Sequence, residues 1–170
     1  MTDEELITGC KNRNNDARRL LYTRYCDQLY TVALHILNDR TLSNDILHDS
    51  FIKIYKDIVG LRNNNSLSAW MRKIVVNISL QTIKRNKKIT YNDELVKDDS
   101  IEWNEPMSGE SLDKAFFMLP DGYRIVFSMI VIEGYKHHEV AKILGISEGT
   151  SKSQLFNAKR SLRKMLSNNI

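Results

Sequence analysis

Residues 134–166 read GYKHHEVAKILGISEGTSKSQLFNAKRSLRKML and have the pattern of two helices joined by a short turn. Val140 and Leu144 recur at helical spacing in the first part. Gly145 is expected to end that helix, because glycine readily adopts the left-handed conformation that closes a last helical turn. Ser147 is suited to cap the helix that follows. Two helices separated by such a short turn predict a helix-turn-helix.

The second predicted helix has an apolar stripe and a polar side. The stripe consists of Leu155, Ala158, Leu162 and Leu166. Amides, hydroxyls and cations near the start of a second helix are the groups that contact base edges and phosphates in such motifs. The candidate DNA contacts are therefore Thr150, Lys152, Ser153, Gln154, Phe156, Asn157, Lys159 and Arg160. A helical hairpin that merely exposes its lysines to solvent is the alternative.

Composition is that of an ordinary water-soluble protein. The chain has 170 residues, 42% hydrophobic and 27% charged, which suffices for one domain or two small ones. It has no run of about 18 apolar residues and no secretory signal pattern, so no membrane insertion and a cytoplasmic location are expected. Cys10 and Cys26 lack partners at zinc-ligand spacing and are expected to be free thiols. No metal and no cofactor are predicted.

Charge divides the chain into three segments. Residues 1–88 hold 15 basic and 9 acidic side chains, a net charge of +6. Residues 89–110 hold 1 and 7, a net charge of −6, and residues 111–170 hold 9 and 5, a net charge of +4. The middle segment also loses its helical periodicity, which is typical of an extended linker. We therefore predict two helical domains, each with a polyanionic partner, on either side of an acidic linker.

Helical periodicity continues through both predicted domains, and no stretch alternates convincingly as a strand. Thr2 and Glu5 have the spacing of a capping box for a first helix that runs to about Lys11. Further helices are predicted to begin at or beside Asp16, Ser43, Ser68, Ser111 and Asp121. The expected fold is all-α, with the helix-turn-helix in the second domain.

Three stretches together resemble the extracytoplasmic-function (ECF) class of bacterial RNA polymerase sigma factors. They are residues 44–55 (NDILHDSFIKIY), residues 67–77 (LSAWMRKIVVN) and the region from Leu119-Pro120 to Ser153. The resemblance covers nearly the whole chain and keeps the order of the family. It implies transcription initiation, with core RNA polymerase (β and β′ subunits) and promoter DNA as partners, and commonly an anti-sigma factor.

The first stretch resembles the polymerase-binding helix of the family. The resemblance implies that Asp45 and Asp49 meet the coiled-coil clamp of the largest subunit, with Ile46 or Phe51 as an apolar anchor. Carboxylates on a helix face can pair with basic groups of a partner. An alternative for Asp45 is that it only complements the N-terminal end of its helix.

The second stretch resembles the family segment that opens the −10 element. A flipped base of the non-template strand would lie in the loop Asn63, Asn64, Asn65 and Ser66, near Trp70 and Asn77. Lys73, Lys84 and Arg85 would contact phosphates. Trp70 has an alternative role in the core.

The third stretch resembles the domain of the family that binds the −35 element. Gln154 and Asn157 stand where the family often has arginine. The −35 sequence that this domain prefers is therefore not determined by the resemblance, although amide side chains favour adenine.

Two other functions are weighed against this prediction. A helix-turn-helix regulator that does not bind polymerase would share the second domain only. An enzyme has slight support from His137, His138 and Glu139, but adjacent histidines on a helix point about 100° apart and do not easily bind one metal. Catalysis is therefore not expected.

Overall fold

The computed structural model describes residues 1–62, 66–86, 89–91 and 109–167. It divides into two compact units, Met1–Lys88 and Ile89–Ile170, which we call the N-terminal and C-terminal units. The described residues form helices and no strand, so the predicted all-α fold is confirmed. Asn63, Asn64, Asn65 and residues 92–108 of the predicted linker lie outside the described residues.

The N-terminal unit contains four α-helices. They are α1 (Asp3–Lys11), α2 (Asn15–Leu37), α3 (Arg40–Asp57), which a 3-10 turn (Ile58–Gly60) follows, and α4 (Leu67–Asn86). Helix α2 packs against α1, α3 and α4, so it forms the centre of this unit. Its core includes the fully buried side chains of Leu21, Leu29, Ile36, Ile54 and Met71. The apolar residues that recur at helical spacing are thus the ones that leave water on folding.

Local capping explains where the first helices begin. The capping box before α1 is present: the Glu5 amide donates to Thr2 Oγ1 (3.2 Å) and the Thr2 amide donates to Glu5 Oε2 (2.7 Å). The prediction that Ser43 caps α3 is wrong, since Ser43 is fully buried inside the helix. Asp39 is the cap instead and accepts from the Leu42 amide at 2.9 Å. Asn38 ends α2 in the left-handed conformation (φ 51°), which asparagine tolerates, so the turn is shorter than predicted.

The C-terminal unit contains the other four described α-helices. They are α5 (Gly109–Phe117), α6 (Asp121–Phe127), which a π-helical turn (Ser128–Ile132) follows, α7 (His137–Leu144) and α8 (Glu148–Ser167). The prediction that Ser111 caps α5 is wrong, because this helix already begins at Gly109. Phe116 and Leu119 of the α5 region pack with Ala158, Leu162 and Leu166 of α8, so three residues of the predicted apolar stripe are buried, whereas Leu155 is half-buried.

The helix-turn-helix formed by α7 and α8 is confirmed. Gly145 adopts the left-handed conformation (φ 69°), and the Ile146 amide donates to the Ala141 carbonyl at 3.0 Å, which closes the end of α7. Ser147 caps α8 by accepting from the Thr150 amide at 2.9 Å. Glycine and serine therefore have the positions in this turn that the sequence predicted.

Residues Ile89–Tyr91 pack on the C-terminal unit, although the sequence predicted an extended linker from residue 89. A Cβ atom on Gly122 of α6 would lie 3.2 Å from the Thr90 carbonyl oxygen and 2.9 Å from Gln154 Oε1. Only a residue without a side chain leaves room for this approach. Burial raises the pKa of the Tyr91 phenol to about 12, with the charge of Asp121 as a second cause.

No helix among the described residues is both long and apolar enough to cross a membrane.

Candidate functional surfaces

The exposed face of helix α3 includes a stripe that we call the α3 outer stripe: Asp45, Asp49, Ile52 and Lys56. A helix advances about 100° per residue, so these four positions fall within about 60° of one another. Ser43, Ile46, Leu47, Ser50, Phe51 and Ile54 of the same helix are buried. The two carboxylates predicted to contact a partner are therefore exposed side by side.

Ile46 and Phe51 do not lie on this stripe, and their predicted role as an exposed apolar anchor is corrected here. They are 4% and 3% exposed, because both face the packed interior of the N-terminal unit. The ring of Phe51 lies between those of Tyr22 and Tyr55, with centroid distances of 4.7 and 5.8 Å. A side chain held in such a cluster cannot reach a partner without unfolding its surroundings.

Ile52 is the apolar side chain that the sequence analysis missed. It is 57% exposed on the α3 outer stripe, next to Asp49 in the helical register. Its spacing of seven residues from Asp45 and three from Asp49 could have identified it, since these spacings share one face of a helix. A large exposed apolar side chain beside carboxylates is typical of a protein contact surface.

Helix α4 also presents an exposed stripe, the α4 outer stripe: Lys73, Asn77, Gln81 and Lys84. Of these, Lys73, Asn77 and Lys84 were predicted, whereas Gln81, one turn after Asn77, was missed. The stripe combines two cations with two amides, which can hold phosphates and hydrogen-bond base edges, respectively. No carboxylate lies on it.

The other predicted residues of this region lie around the α4 outer stripe. Trp70 is half-buried and falls within the same angular sector, one turn before Lys73. Ser66 is exposed, and its Oγ accepts from the Ala69 amide at 3.4 Å at the start of α4. Arg85 is exposed beside the stripe. The predicted loop residues 63–65 lie outside the described residues, so the structure describes only this helical part of the predicted surface.

Helix α8 presents Lys152, Phe156, Lys159 and Arg160 on one side, which we call the α8 outer side. Lys152 and Arg160 are exposed, and Phe156 and Lys159 are half-buried. Arg163, which the sequence analysis did not select, is half-buried in the same sector. These residues offer cations for phosphates and one aromatic ring for a thymine methyl group.

Thr150, Ser153, Gln154 and Asn157 are buried, so the prediction that they lie on the exposed face of α8 is wrong. Their exposed fractions are 6%, 3%, 0% and 6%. Gln154 lies about 160° around the helix from Lys152 and faces Gly122 of α6. Ser153 donates to the Thr150 carbonyl at 3.0 Å. These polar side chains help to pack α8 within its unit, and their polarity alone did not predict that they are buried.

His137 connects the two helices of the motif. Its Nδ1 lies 2.8 Å from Ser151 Oγ of α8. Burial lowers the pKa of His137, and the charges of Lys152 and Lys159 lower it further. The described residues contain no group of three or more metal-ligating side chains around it or elsewhere. The geometry thus gives His137 a structural contact, while His138 is exposed.

Two family models match this chain, one in each unit. Sigma-70 region 2 matches residues 21–89, and the model described as Sigma-70, region 4 matches residues 109–162. The first match contains the α3 and α4 outer stripes, and the second contains the helix-turn-helix.

Two curated relatives match over almost their full length. The ECF RNA polymerase sigma factor SigW of Bacillus subtilis is 25% identical, over 98% of this chain and 97% of SigW. The ECF RNA polymerase sigma-E factor of Haemophilus influenzae is 23% identical, over 100% of this chain and 96% of that protein.

Solved structures share the fold. CnrH in complex with the cytosolic domain of CnrY matches with a TM-score of 0.58 and 18% identity, over 99% of both chains. The sigma factor RpoE of Bartonella quintana, crystallised with the anti-sigma factor NepR, matches with a TM-score of 0.56 and 21% identity, over 88% of this chain and 96% of that one. With both regions of the family present in order, the chain belongs to the sigma-70 family and to its ECF class.

Proposed function

We propose that this chain is an alternative sigma factor that binds core RNA polymerase and directs it to promoters. The observation that carries the proposal is the match of region 2 and region 4 to the two units of one chain. A helix-turn-helix regulator would account for the C-terminal unit but not for a region 2 unit with its two exposed stripes. The function requires no catalytic group, and we propose that the protein is not an enzyme and acts in the cytoplasm.

The α3 outer stripe is the proposed polymerase contact. Asp45 and Asp49 offer two carboxylates to a basic partner surface, and Ile52 offers an apolar side chain between the charges. An apolar centre with charged neighbours is the usual division of labour in protein interfaces, in which the apolar group contributes affinity and the charges contribute orientation. This assigns Ile52 the anchoring role that the sequence analysis gave to Ile46 or Phe51.

The α4 outer stripe is the proposed site of −10 recognition and strand opening. Lys73 and Lys84 would bind phosphates, and Asn77 and Gln81 would hydrogen-bond base edges that become accessible when the strands separate. Opening a base pair costs a few kcal/mol, which contacts made only in the open state can offset. The residues 63–65 and the half-buried Trp70 would complete this surface.

The α8 outer side is the proposed −35 contact. Lys152 lies in the first turns of α8, where a recognition helix enters the major groove, and Lys159 and Arg160 both follow about two turns later, where they would contact the DNA backbone. Gly149 is exposed, and a Cβ atom there would meet only Ser147 Oγ at 3.6 Å within the chain. The absence of its side chain therefore leaves space for DNA and is not needed for packing.

An anti-sigma factor is a further proposed partner. The RpoE structure that shares this fold is a complex with the anti-sigma factor NepR. Exposed apolar side chains in both units, such as Tyr22 and Met118, offer surface that a protein inhibitor could cover.

Run-off transcription with core polymerase tests the function. The chain and core enzyme would be incubated with a library of promoter fragments, with core enzyme alone as the control. We expect new transcripts with defined start sites only when the chain is present, and co-elution with core polymerase in the absence of DNA. A chain that binds DNA but neither co-elutes nor initiates would instead be a regulator.

Asn77→Ala is expected to impair strand opening more than closed-complex binding. The variant removes an exposed amide from the α4 outer stripe without touching the core, and a contact made only with separated strands is lost. We expect the amount of permanganate-reactive open complex to fall about ten-fold, because one base contact contributes about 1–3 kcal/mol. Asn86→Ala is the matched control, because Asn86 is exposed on the opposite side of the same helix. Equal losses in both variants would contradict the assignment.

Lys152→Ala is expected to weaken protection of the −35 element. If Lys152 reads a base, affinity falls about ten-fold for the preferred sequence only. If it binds a phosphate, affinity falls on every sequence and the slope of log K against log salt decreases by about 0.9. Lys114→Ala is the control, since Lys114 is exposed on α5 and pairs with Glu110 at 2.8 Å. Unchanged footprints in the Lys152 variant would remove it from the DNA contact.

A further inference from the structure

A cleft of about 390 Å³ opens in the N-terminal unit where the end of α1, the start of α2 and the end of α3 meet. Four cationic side chains line it: Lys11, Arg13, Arg18 and Lys56. Its volume is within the range of small-molecule sites, about 300–1,000 Å³. Neither proposed DNA surface uses these side chains, although Lys56 also ends the α3 outer stripe.

The positive charge of the cleft is not compensated by the groups that line it. The lining contains no aspartate or glutamate. Burial raises the pKa of the Cys10 thiol, and burial raises that of the Tyr55 phenol to about 12, so both stay neutral near pH 7. The nearest acid along α3, Asp57, forms an ion pair with Lys53 at 2.8 Å. Four like charges around one open cleft repel one another, which lowers the stability of the unit unless an anion binds there.

Arg18 lies over the Tyr55 ring and has no carboxylate partner among the described residues. Its guanidinium carbon lies 5.4 Å from the centroid of the Tyr55 ring, and Tyr55 Oη donates to the Arg18 carbonyl at 2.9 Å. Its Nε is buried and has no hydrogen-bond partner among the described residues. Arg18 also lies in the first turn of α2, where the helix dipole disfavours a cation. Arg18 as a whole is half-buried, and a guanidinium group whose Nε is buried without a partner at the start of a helix is expected to have an anionic ligand.

Arg13 occupies a backbone position that normally selects glycine or asparagine. It follows α1 in the left-handed conformation (φ 56°), and its amide donates to the Cys10 carbonyl at 3.0 Å. An arginine pays a conformational cost in this position, and such outliers concentrate at functional sites. Lys11 is oriented as well, since its Nζ donates to the Leu61 carbonyl at 2.8 Å. Local structure therefore constrains the backbone of Arg13 and the side chain of Lys11.

We propose that this cleft binds a compact polyphosphate, such as the phosphate chain of a nucleoside diphosphate or triphosphate. Several cations that converge on one concave space match linked phosphoryl groups, which concentrate their charge within a few ångströms. Arginine favours this class of ligand because its planar donors bind phosphate oxygens in pairs. Duplex DNA spreads its phosphates along a continuous backbone and is gripped by exposed stripes such as that of α4. The proposal does not depend on sigma-factor activity.

Titration calorimetry with tripolyphosphate tests the proposal on the full chain at about 0.15 M salt, where exposed charges are largely screened. We expect one binding site per chain. Arg13→Gly is the decisive variant, because glycine suits the left-handed backbone and only the guanidinium group is lost. It should weaken binding about ten-fold or more, as should Arg18→Ala, given the value of a charge-assisted hydrogen bond. Lys53→Ala, which removes a cation outside the lining, should bind as the parent does.

Four results would overturn the proposal. The first is no heat of binding at about millimolar tripolyphosphate. The second and third are an Arg13→Gly variant that binds as weakly as Lys53→Ala does, and an Arg13→Gly variant that binds as tightly as the parent. The fourth is a short DNA duplex that displaces tripolyphosphate, binds with higher affinity and loses this affinity in Arg13→Gly. The last would identify the cleft as a DNA contact. Amide NMR spectra of each variant, compared with those of the parent, establish that the N-terminal unit is folded. A titration with adenosine and guanosine diphosphates then measures whether a nucleoside adds affinity to the phosphates.

Discussion

Asp49→Arg is expected to weaken the binding of core polymerase about thirty-fold, the effect of losing a central contact of about 2 kcal/mol. The change reverses a charge in the middle of the α3 outer stripe, where Asp45 and Ile52 flank it. An arginine there repels the basic surface that the two carboxylates are proposed to meet. The fold should be intact, because Asp49 is exposed and arginine is a better helix former than aspartate.

Competition for core polymerase against the fluorescently labelled parent protein measures this loss. The difference between the parent and Asp49→Arg should shrink as salt increases, because exposed charges are screened. Asp27→Arg is the matched control, with the same charge change at an exposed position of α2. Ile52→Ala should also weaken the binding of core polymerase, but its effect should not shrink as salt increases, because the lost contact is apolar. If Asp49→Arg competed as well as Asp27→Arg, the α3 outer stripe would not be the contact.

Arg124→Ala is expected to destabilise the C-terminal unit by about 2–5 kcal/mol, because it leaves a cavity in place of a large buried side chain and removes the hydrogen bonds that this side chain donates. Arg124 is 1% exposed; its Nη2 lies 2.7 Å from Asp121 Oδ1, and its Nη1 donates to the Leu119 carbonyl at 3.3 Å. Without it, Asp121 loses this buried partner at the α5–α6 connection. Folded proteins have a free energy of unfolding of roughly 0.05–0.15 kcal/mol per residue, so this loss can remove most of the stability of the C-terminal unit.

Amide hydrogen exchange of the full chain measures this effect separately in each unit. We expect protection to fall in α5–α8 and to persist in α1–α4, whose core contains none of the affected groups. Binding to core polymerase would continue through the N-terminal unit, and protection of the −35 element would be lost. Arg160→Ala provides the control, since an exposed arginine of the same unit should change stability by less than about 0.5 kcal/mol. Wild-type protection in α5–α8 of the Arg124 variant would refute the structural role.

The fold was predictable because its signals are local. The capping box at Thr2 and Glu5, the left-handed Gly145 and the cap at Ser147 depend on a few neighbouring residues, and all three are present in the structure. Ser43 is not the cap because Asp39, one turn earlier, begins α3 first, and Ser111 is not the cap because it lies inside a helix that begins at Gly109. The π-helical turn Ser128–Ile132 has no signal in the periodicity and was not predicted.

The candidate surfaces were only partly predictable, because exposure depends on which elements pack together. Ile46 and Phe51 lie beside the predicted carboxylates in sequence, but the register of α3 directs them inward and Ile52 outward. On α8, the amides of Gln154 and Asn157 were predicted as exposed because they are polar. The packing of α6 and residues 89–91 around Gln154 could not be inferred from the sequence of α8 alone.

The central position of α2 has a consequence for promoter opening. Helix α2 packs against both α3 and α4. A polymerase bound at the proposed α3 contact and a DNA strand bound at the proposed α4 contact would therefore be connected through one tightly packed unit. The distance between the polymerase contact and the first separated base pair would then be determined by the fold of this chain. It would be the same at every promoter, so the transcription start site should lie at a nearly fixed distance from the −10 sequence.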